Sequence, residues 1–213
     1  MANICCDDVY FYSQSNPEHL AALWEDLETS IVFCRNEDLA GIGNLFELKG
    51  IPTEGLSLRG TVISMERNDD NILLSTSAAW SPLYGAYHAI AEAYQVDFVM
   101  QSIEPGCRTY INTDHSGQYF PDHYAVSIQD ETFLTPTGIP VSEKLEYGEL
   151  FTTDAALLEH FAEMGYPART LEMLDTLLED TGIEIHCFED PYSLMLPRTL
   201  RRFSFQKRGE TLL

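Results

Sequence analysis

The chain has 213 residues, of which 34 are acidic and 12 are basic, so its formal net charge at pH 7 is −22. Hydrophobic residues make up 45% of the sequence, which is enough for a folded core and excludes a wholly disordered chain. The negative charge repels nucleic acid and anionic membranes at long range, so neither is an expected partner.

The first sixty residues predict a strand, a helix and then irregular chain. Residues 5–12 read as the first strand. Asn16 and Pro17 favour a helix start, because Asn caps helices and Pro suits the first helical position. We expect a second short strand over residues 30–34 and a long Gly-rich loop over residues 36–60.

A hairpin and a further helix follow this loop. Residues 58–66 and 71–80 predict two paired strands, because turn-forming Asn and Asp residues separate them. Ser81 and Pro82 predict the start of the next helix, with Ser as its cap. Residues 96–103 predict the strand after that helix.

The second half of the chain predicts one more hairpin and then helices. Residues 107–114 and 118–128 are expected to pair around a His-Ser-Gly turn. Residues 154–164 and 168–180 carry leucines at helical spacing, and residues 183–188 predict a short strand.

The order of these elements predicts an α+β fold. The expected architecture is a ferredoxin-like sandwich, with a mainly antiparallel sheet and helices on one face. This core is expected over residues 1–130. We expect an α-rich C-terminal extension over residues 131–213 to pack on the core.

The cysteines and the apolar segments indicate a cytoplasmic protein. No pair has the CxxC spacing, and an odd, scattered set does not read as a disulfide framework. No basic, apolar leader opens the sequence, and no apolar run approaches the ~20 residues that span a membrane. A reducing compartment is therefore the expected location. The five cysteines are Cys5, Cys6, Cys34, Cys107 and Cys187.

The C-terminal segment is basic, unlike the rest of the chain. Residues 198–213 carry five bases and one acid, a net charge of +4, so residues 1–197 carry −26. We interpret this segment as an exposed tail that folds back on an acidic body. Its five bases are Arg198, Arg201, Arg202, Lys207 and Arg208.

Two groups of side chains are candidates for metal or acid–base chemistry. Glu104 precedes a Pro-Gly turn, where a carboxylate serves as a base or ligand, or simply accepts hydrogen bonds from nearby amides. Asp114, His115, Asp122 and His123 flank the second predicted hairpin turn. Two imidazoles and two carboxylates brought together there suit a divalent metal, although surface histidines near a turn are common. We predict no cofactor.

Cysteine chemistry is the weaker alternative. Cys107 lies near these histidines in the predicted hairpin, and His186 adjoins Cys187. A Cys–His nucleophile needs a lowered thiol pKa and an oriented base, whereas a strand cysteine usually belongs to the core. Trp80 and the two residues after it are explained by packing, capping and the start of a helix.

Four short motifs, in this order, resemble the YubB-like ferredoxin-like family, a domain of unknown function carried on plasmids, phages and other mobile elements. The resemblance covers about residues 1–128, with Ile4 where the family pattern leads us to expect Trp. It implies a ferredoxin-like core and a mobile-element setting, and it brings no catalytic residues. The motifs are Met1-Ala2-Asn3 with Cys5, Arg59-Gly60-Thr61, Ala79-Trp80-Ser81-Pro82 and Ile103-Glu104-Pro105-Gly106.

We expect a non-enzymatic acidic binding protein that engages a basic host protein. A surface imitating nucleic-acid charge, or an inhibitor of host defence, is the sharper form of this hypothesis. The candidate binding residues are Trp80, Glu104 and Arg108. One alternative is a metal-dependent or other enzyme with a site near Glu104, His115 and His123. Another is an oligomeric scaffold, in which the partner is a second copy of the chain.

Overall fold

A computed structural model describes residues 3–32 and 40–193 of the chain. Cys34 and the basic segment 198–208 lie outside the described residues. The described chain forms two compact units, and the first comprises residues 3–32, 40–115 and 190–193. The second unit comprises residues 116–189. The chain therefore divides before residue 116, whereas the sequence predicted a boundary after residue 130.

The first unit contains a five-stranded antiparallel sheet. Its order is β2-β3-β1-β4-β5, and each neighbouring pair is antiparallel. The predicted α+β class with an antiparallel sheet is confirmed. The strands are β1 (Ile4–Tyr12), β2 (Gly60–Arg67), β3 (Asn71–Ala79), β4 (Asp97–Glu104) and β5 (Thr109–Asn112).

Three α-helices cover one face of this sheet. Alternate residues of β1 and β3 are buried, and they share one hydrophobic core with the apolar sides of the helices. Phe11, Leu23, Phe46 and Tyr87 are among the fully buried side chains of that core. The helices are α1 (Pro17–Leu27), α2 (Gly43–Lys49) and α3 (Tyr84–Tyr94), with a 3-10 turn over Pro105–Cys107.

The predicted strand over residues 30–34 is wrong for its described part. Glu28–Val32 is a π-helical turn that continues α1. The Thr29 and Ser30 hydroxyls donate to backbone carbonyls four residues earlier, at 2.8 and 2.7 Å. These local bonds bind the two hydroxyls to the preceding helical turn, where a strand had been predicted.

The start of α3 also differs from the prediction. The helix begins at Tyr84 rather than at Ser81, and its N-cap residue Leu83 has no side-chain cap of its own. The Leu83 amide instead donates to the Asp7 carboxylate of β1, at 2.9 Å. A long-range carboxylate thus replaces the local serine cap that the sequence indicated.

The second unit has its own three-stranded antiparallel sheet, in the order β7-β6-β8. Its core includes Val126, Leu157, Phe161 and Leu174. The predicted extension is therefore not merely α-rich. The elements are β6 (Tyr124–Ile128), β7 (Leu150–Phe151), α4 (Asp154–Glu163), α5 (Leu171–Leu178) and β8 (Ile183–Cys187), with a 3-10 turn over Val141–Glu143.

The pairing of β5 and β6 corrects the second predicted hairpin. β5 pairs with β4 in the first unit, whereas β6 pairs with β7 and β8 in the second. The two helices expected over residues 154–164 and 168–180 are confirmed with shifted ends, and Thr153 caps the first by accepting the Ala156 amide at 3.1 Å. Within residues 3–32 and 40–193, no helix is long and apolar enough to cross a bilayer.

Candidate functional site

A groove of about 690 Å³ runs along α3 in the first unit, and all of its lining residues belong to that unit. Tyr84, His88 and Glu92 lie four residues apart on α3 and so share one side of the helix. Asp97 and Phe98 line the groove from the first residues of β4. The groove therefore lies where the chain leaves α3 and enters β4.

Four aromatic rings meet in this groove. Tyr84 and Tyr192 are stacked, with ring centroids 3.6 Å apart and planes at 8°. Phe98 lies 5.4 Å from the Tyr84 ring and 6.4 Å from the His88 ring, and its plane makes an angle of 86° with His88. The rings give the groove flat, half-exposed apolar walls.

Asp190 holds the segment that brings Tyr192 to the groove. Its carboxylate lies 2.8 Å from Nε2 of His115 and accepts the backbone amides of Tyr192 and Ser193, at 2.9 and 3.1 Å. The Asp190 side chain is only 8% exposed. His115, predicted as a candidate metal ligand, therefore pairs with a carboxylate that the sequence analysis did not single out.

Negative charge dominates the groove. Glu92, Asp97 and Asp190 contribute three carboxylates, and none of the described residues that line the groove is Lys or Arg. The C-terminal end of α3 adds the negative pole of the helix dipole beside Glu92. Burial, followed by the charge of Asp190, raises the pKa of Tyr84, so this phenol stays neutral. The groove therefore attracts cations.

A second carboxylate site is sealed inside the same unit. Asp7 is 1% exposed, and it accepts hydrogen bonds from the Leu83 amide and the Tyr87 hydroxyl, both at 2.9 Å. The Ser102 hydroxyl also donates to it, and the Cys5 thiol donates at 3.4 Å. Burial raises the pKa of Asp7, while these hydrogen bonds oppose that shift. This site positions α3 on the sheet, and the sequence analysis missed it.

Glu104 is a turn acid in the structure. It is 1% exposed, and its two carboxylate oxygens accept the amides of Gly106, at 3.0 Å, and Cys107. Its hydrogen bond to the Cys107 thiol raises the pKa of that exposed thiol. Both effects disfavour catalysis, because the carboxylate is already engaged and the reactive thiolate is destabilised.

The three predicted binding residues lie away from the groove. Trp80 follows β3, and its amide donates to the Asn3 carbonyl at 3.0 Å, while Glu104 is the last residue of β4 and Arg108 follows that strand. Trp80 is 53% exposed, so it is not the packed residue that the sequence suggested. Its φ of 75° is rare for a bulky side chain. Asp97 and Phe98 of the groove lie at the opposite end of β4.

The four predicted metal ligands divide between the two units. Asp114 and His115 belong to the first unit, whereas Asp122 and His123 belong to the second. In the part of the chain that the structure describes, no group of three or more His, Cys, Asp or Glu side chains is arranged to hold a metal ion.

A Ser–His pair lies in the second unit. Ser127 Oγ lies 2.8 Å from Nε2 of His186, and a Glu184 carboxylate oxygen lies 3.8 Å from the same nitrogen. In a nucleophilic triad the acid instead orients the other ring nitrogen. The neighbouring Cys187 points to the opposite face of β8, and burial raises its pKa. The Glu184 contact is therefore not that of a triad acid, and the raised pKa disfavours a Cys187 thiolate.

Comparison of the chain with protein-family models, with curated proteins and with solved structures finds no match. The resemblance to the YubB-like family therefore stays a prediction. The groove along α3 is the feature from which a function can be argued.

Proposed function

We propose that this protein is a non-enzymatic binding protein whose groove along α3 engages a basic segment of another protein. One observation carries the proposal: aromatic walls and the exposed carboxylates of Glu92 and Asp97 occur together in the groove, without a Lys or Arg among its described lining residues. Carboxylates attract cations by charge, and ring faces attract them through the aromatic quadrupole. A basic segment satisfies both features at once.

The charge of the whole chain supports the same partner. A net charge of −22 accelerates the approach of basic proteins and repels acidic ones. The partner that we propose is a basic host protein, and a nucleic-acid-binding component of host defence is the most specific form of the hypothesis.

The enzyme alternative has less support from the geometry. Both Glu104 oxygens already accept amides, and the Glu104 carboxylate raises the pKa of the Cys107 thiol. His115 is already paired with Asp190. The oligomeric scaffold stays a prediction, and the mass of the protein in solution tests it.

We also propose that the first unit has a ferredoxin-like arrangement. Its support is the succession of β1, α1, β2, β3, α3 and β4, together with the antiparallel strand order β2-β3-β1-β4. On this proposal α2 and β5 are additions to the core. The mobile-element setting and the cytoplasmic location rest on the sequence alone.

The proposed function is tested by titrating the full chain with a labelled peptide of alternating Arg, Gly and Lys residues. The Glu92→Gln/Asp97→Asn variant is expected to bind about tenfold more weakly, because two attractive charges leave the groove. Raising the salt from about 50 to about 500 mM is expected to weaken wild-type binding steeply.

The matched control is Glu47→Gln/Glu66→Gln, which removes the same charge from exposed positions on α2 and on the edge strand β2. It is expected to change the affinity less than twofold (about 0.4 kcal/mol). Equal losses of affinity in the two double variants would show that peptide binding depends only on net charge. That result would contradict the proposed role of the groove.

A further inference from the structure

We propose that the groove selects arginine over lysine, and that its ligand is an extended segment whose arginine lies in the corner between His88 and Phe98. This inference rests on the proposed function and specifies its ligand.

The corner consists of two rings, with the Glu92 carboxylate beside one of them. The His88 and Phe98 rings are 6.4 Å apart and nearly perpendicular, at 86°. Glu92 follows His88 by one helical turn, with its carboxylate 3.7 Å from Nδ1 of His88. Asp97 is a further carboxylate in the lining of the same groove. A cation in this corner therefore meets a ring face and the Glu92 carboxylate.

The shape and openness of the corner favour a guanidinium group. The side chains of His88 and Glu92 are 49% and 74% exposed, so a bound cation stays close to water. An ammonium group is strongly hydrated, so it gains little binding free energy at such an open site. A guanidinium group is weakly hydrated and planar, so it stacks on a ring while its five N–H donors point outward toward Glu92 and the other carboxylates of the groove.

The end of α3 adds to this attraction. The helix ends at Tyr94, and Gln95 adopts the left-handed conformation that closes it. The negative pole of the helix dipole thus lies beside Glu92, where a cation is stabilised.

The length of the groove sets the size of the ligand. Its lining residues on α3 extend from Tyr84 to Gln95, with Gln95 just past the helix end. At 1.5 Å per residue this distance is about 16 Å. An extended chain covers it with about five residues. A pentapeptide is therefore long enough to place one arginine in the corner and reach the Tyr84–Tyr192 stack.

The test is a calorimetric titration of the full chain with the peptide Arg-Ser-Gly-Ser-Arg, which offers an arginine in either chain direction. Replacing both arginines with lysine is expected to weaken binding about fivefold, and replacing both with the neutral isostere citrulline more than tenfold. Phe98→Leu is expected to remove the preference for arginine. Phe133→Leu, which removes a half-buried ring from the second unit, is expected to keep it.

The outcomes separate this inference from the function on which it rests. Equal affinities for the arginine and lysine peptides, both lowered by Glu92→Gln, would overturn arginine selection and leave the binding function standing. Equal affinities for arginine and citrulline would also overturn it. If Glu92→Gln weakens binding no more than Glu66→Gln does, the proposed function fails together with the inference.

Discussion

Carboxylates near the two ends of α3 have opposite roles. At its N-terminus, Asp7 is sealed among four donors and holds the helix on the sheet. At its C-terminus, Glu92 and Asp97 are exposed in a groove with aromatic walls. The surroundings of each carboxylate decide whether it stabilises the fold or is available to a ligand. This distinction predicts separate effects of mutations on stability and on binding.

The largest effect is expected at Asp7. Asp7→Ala leaves four donors without this acceptor, so it is expected to lower the free energy of unfolding by about 3 kcal/mol. Urea unfolding measures this loss, and the control Asp8→Ala changes the exposed next residue of β1. A loss below about 1 kcal/mol would contradict the structural role of Asp7.

Tyr87→Phe is expected to have a smaller effect. It removes a hydroxyl that donates to Asp7 at 2.9 Å and lies 2.6 Å from the Thr76 hydroxyl, while the buried ring remains. The expected loss is about 1 to 1.5 kcal/mol by urea unfolding. Tyr147→Phe changes an exposed tyrosine of the second unit and serves as the control. Equal stability of Tyr87→Phe and wild type would show that the hydroxyl is not needed.

The pH dependence of stability sharpens the comparison. Burial raises the pKa of Asp7 above its usual value of 3.8, so the folded state holds the proton more tightly than the unfolded state does. The contribution of Asp7 is therefore fully present below 3.8 and is lost as the pH rises through the raised value. The stability of wild type relative to Asp7→Asn should fall over this range in urea titrations at several pH values. A relative stability that rises with pH would reverse the assigned direction.

The smallest effect on stability is expected at the open end of α3. The Glu92 side chain is 74% exposed, and its distance of 3.7 Å from a histidine nitrogen is longer than a hydrogen bond. Glu92→Gln is therefore expected to change the free energy of unfolding by less than about 0.5 kcal/mol. The same change is expected to weaken peptide binding. A large loss of stability would mean that this carboxylate also belongs to the fold.

Local patterns predicted the elements better than they predicted the site. Thr153 signalled the start of α4 because its cap lies in the adjacent sequence. The start of α3 was misplaced because the carboxylate of Asp7 lies 76 positions from Leu83. The pairing of β6 was missed because both of its partner strands come later in the chain.

The groove was missed for the same reason. His88 and Glu92 belong to a predicted helix, but Tyr192 comes from the far end of the described chain. No spacing along the sequence indicates that Tyr192 stacks on Tyr84. The candidates that the sequence did single out were turn residues, and the structure assigns Glu104 to its own turn.

The positions of the two tryptophans give the molecule a selective fluorescence signal. Trp24 packs partly buried against the core of the first unit and Trp80 is half exposed in the same unit, whereas residues 116–189 contain no tryptophan. Indole emission therefore reports the unfolding of the first unit, and the second unit is silent at that wavelength. Iodide should quench the emission of Trp80 more strongly than that of Trp24. A quenching titration therefore distinguishes the surface of the unit from its interior.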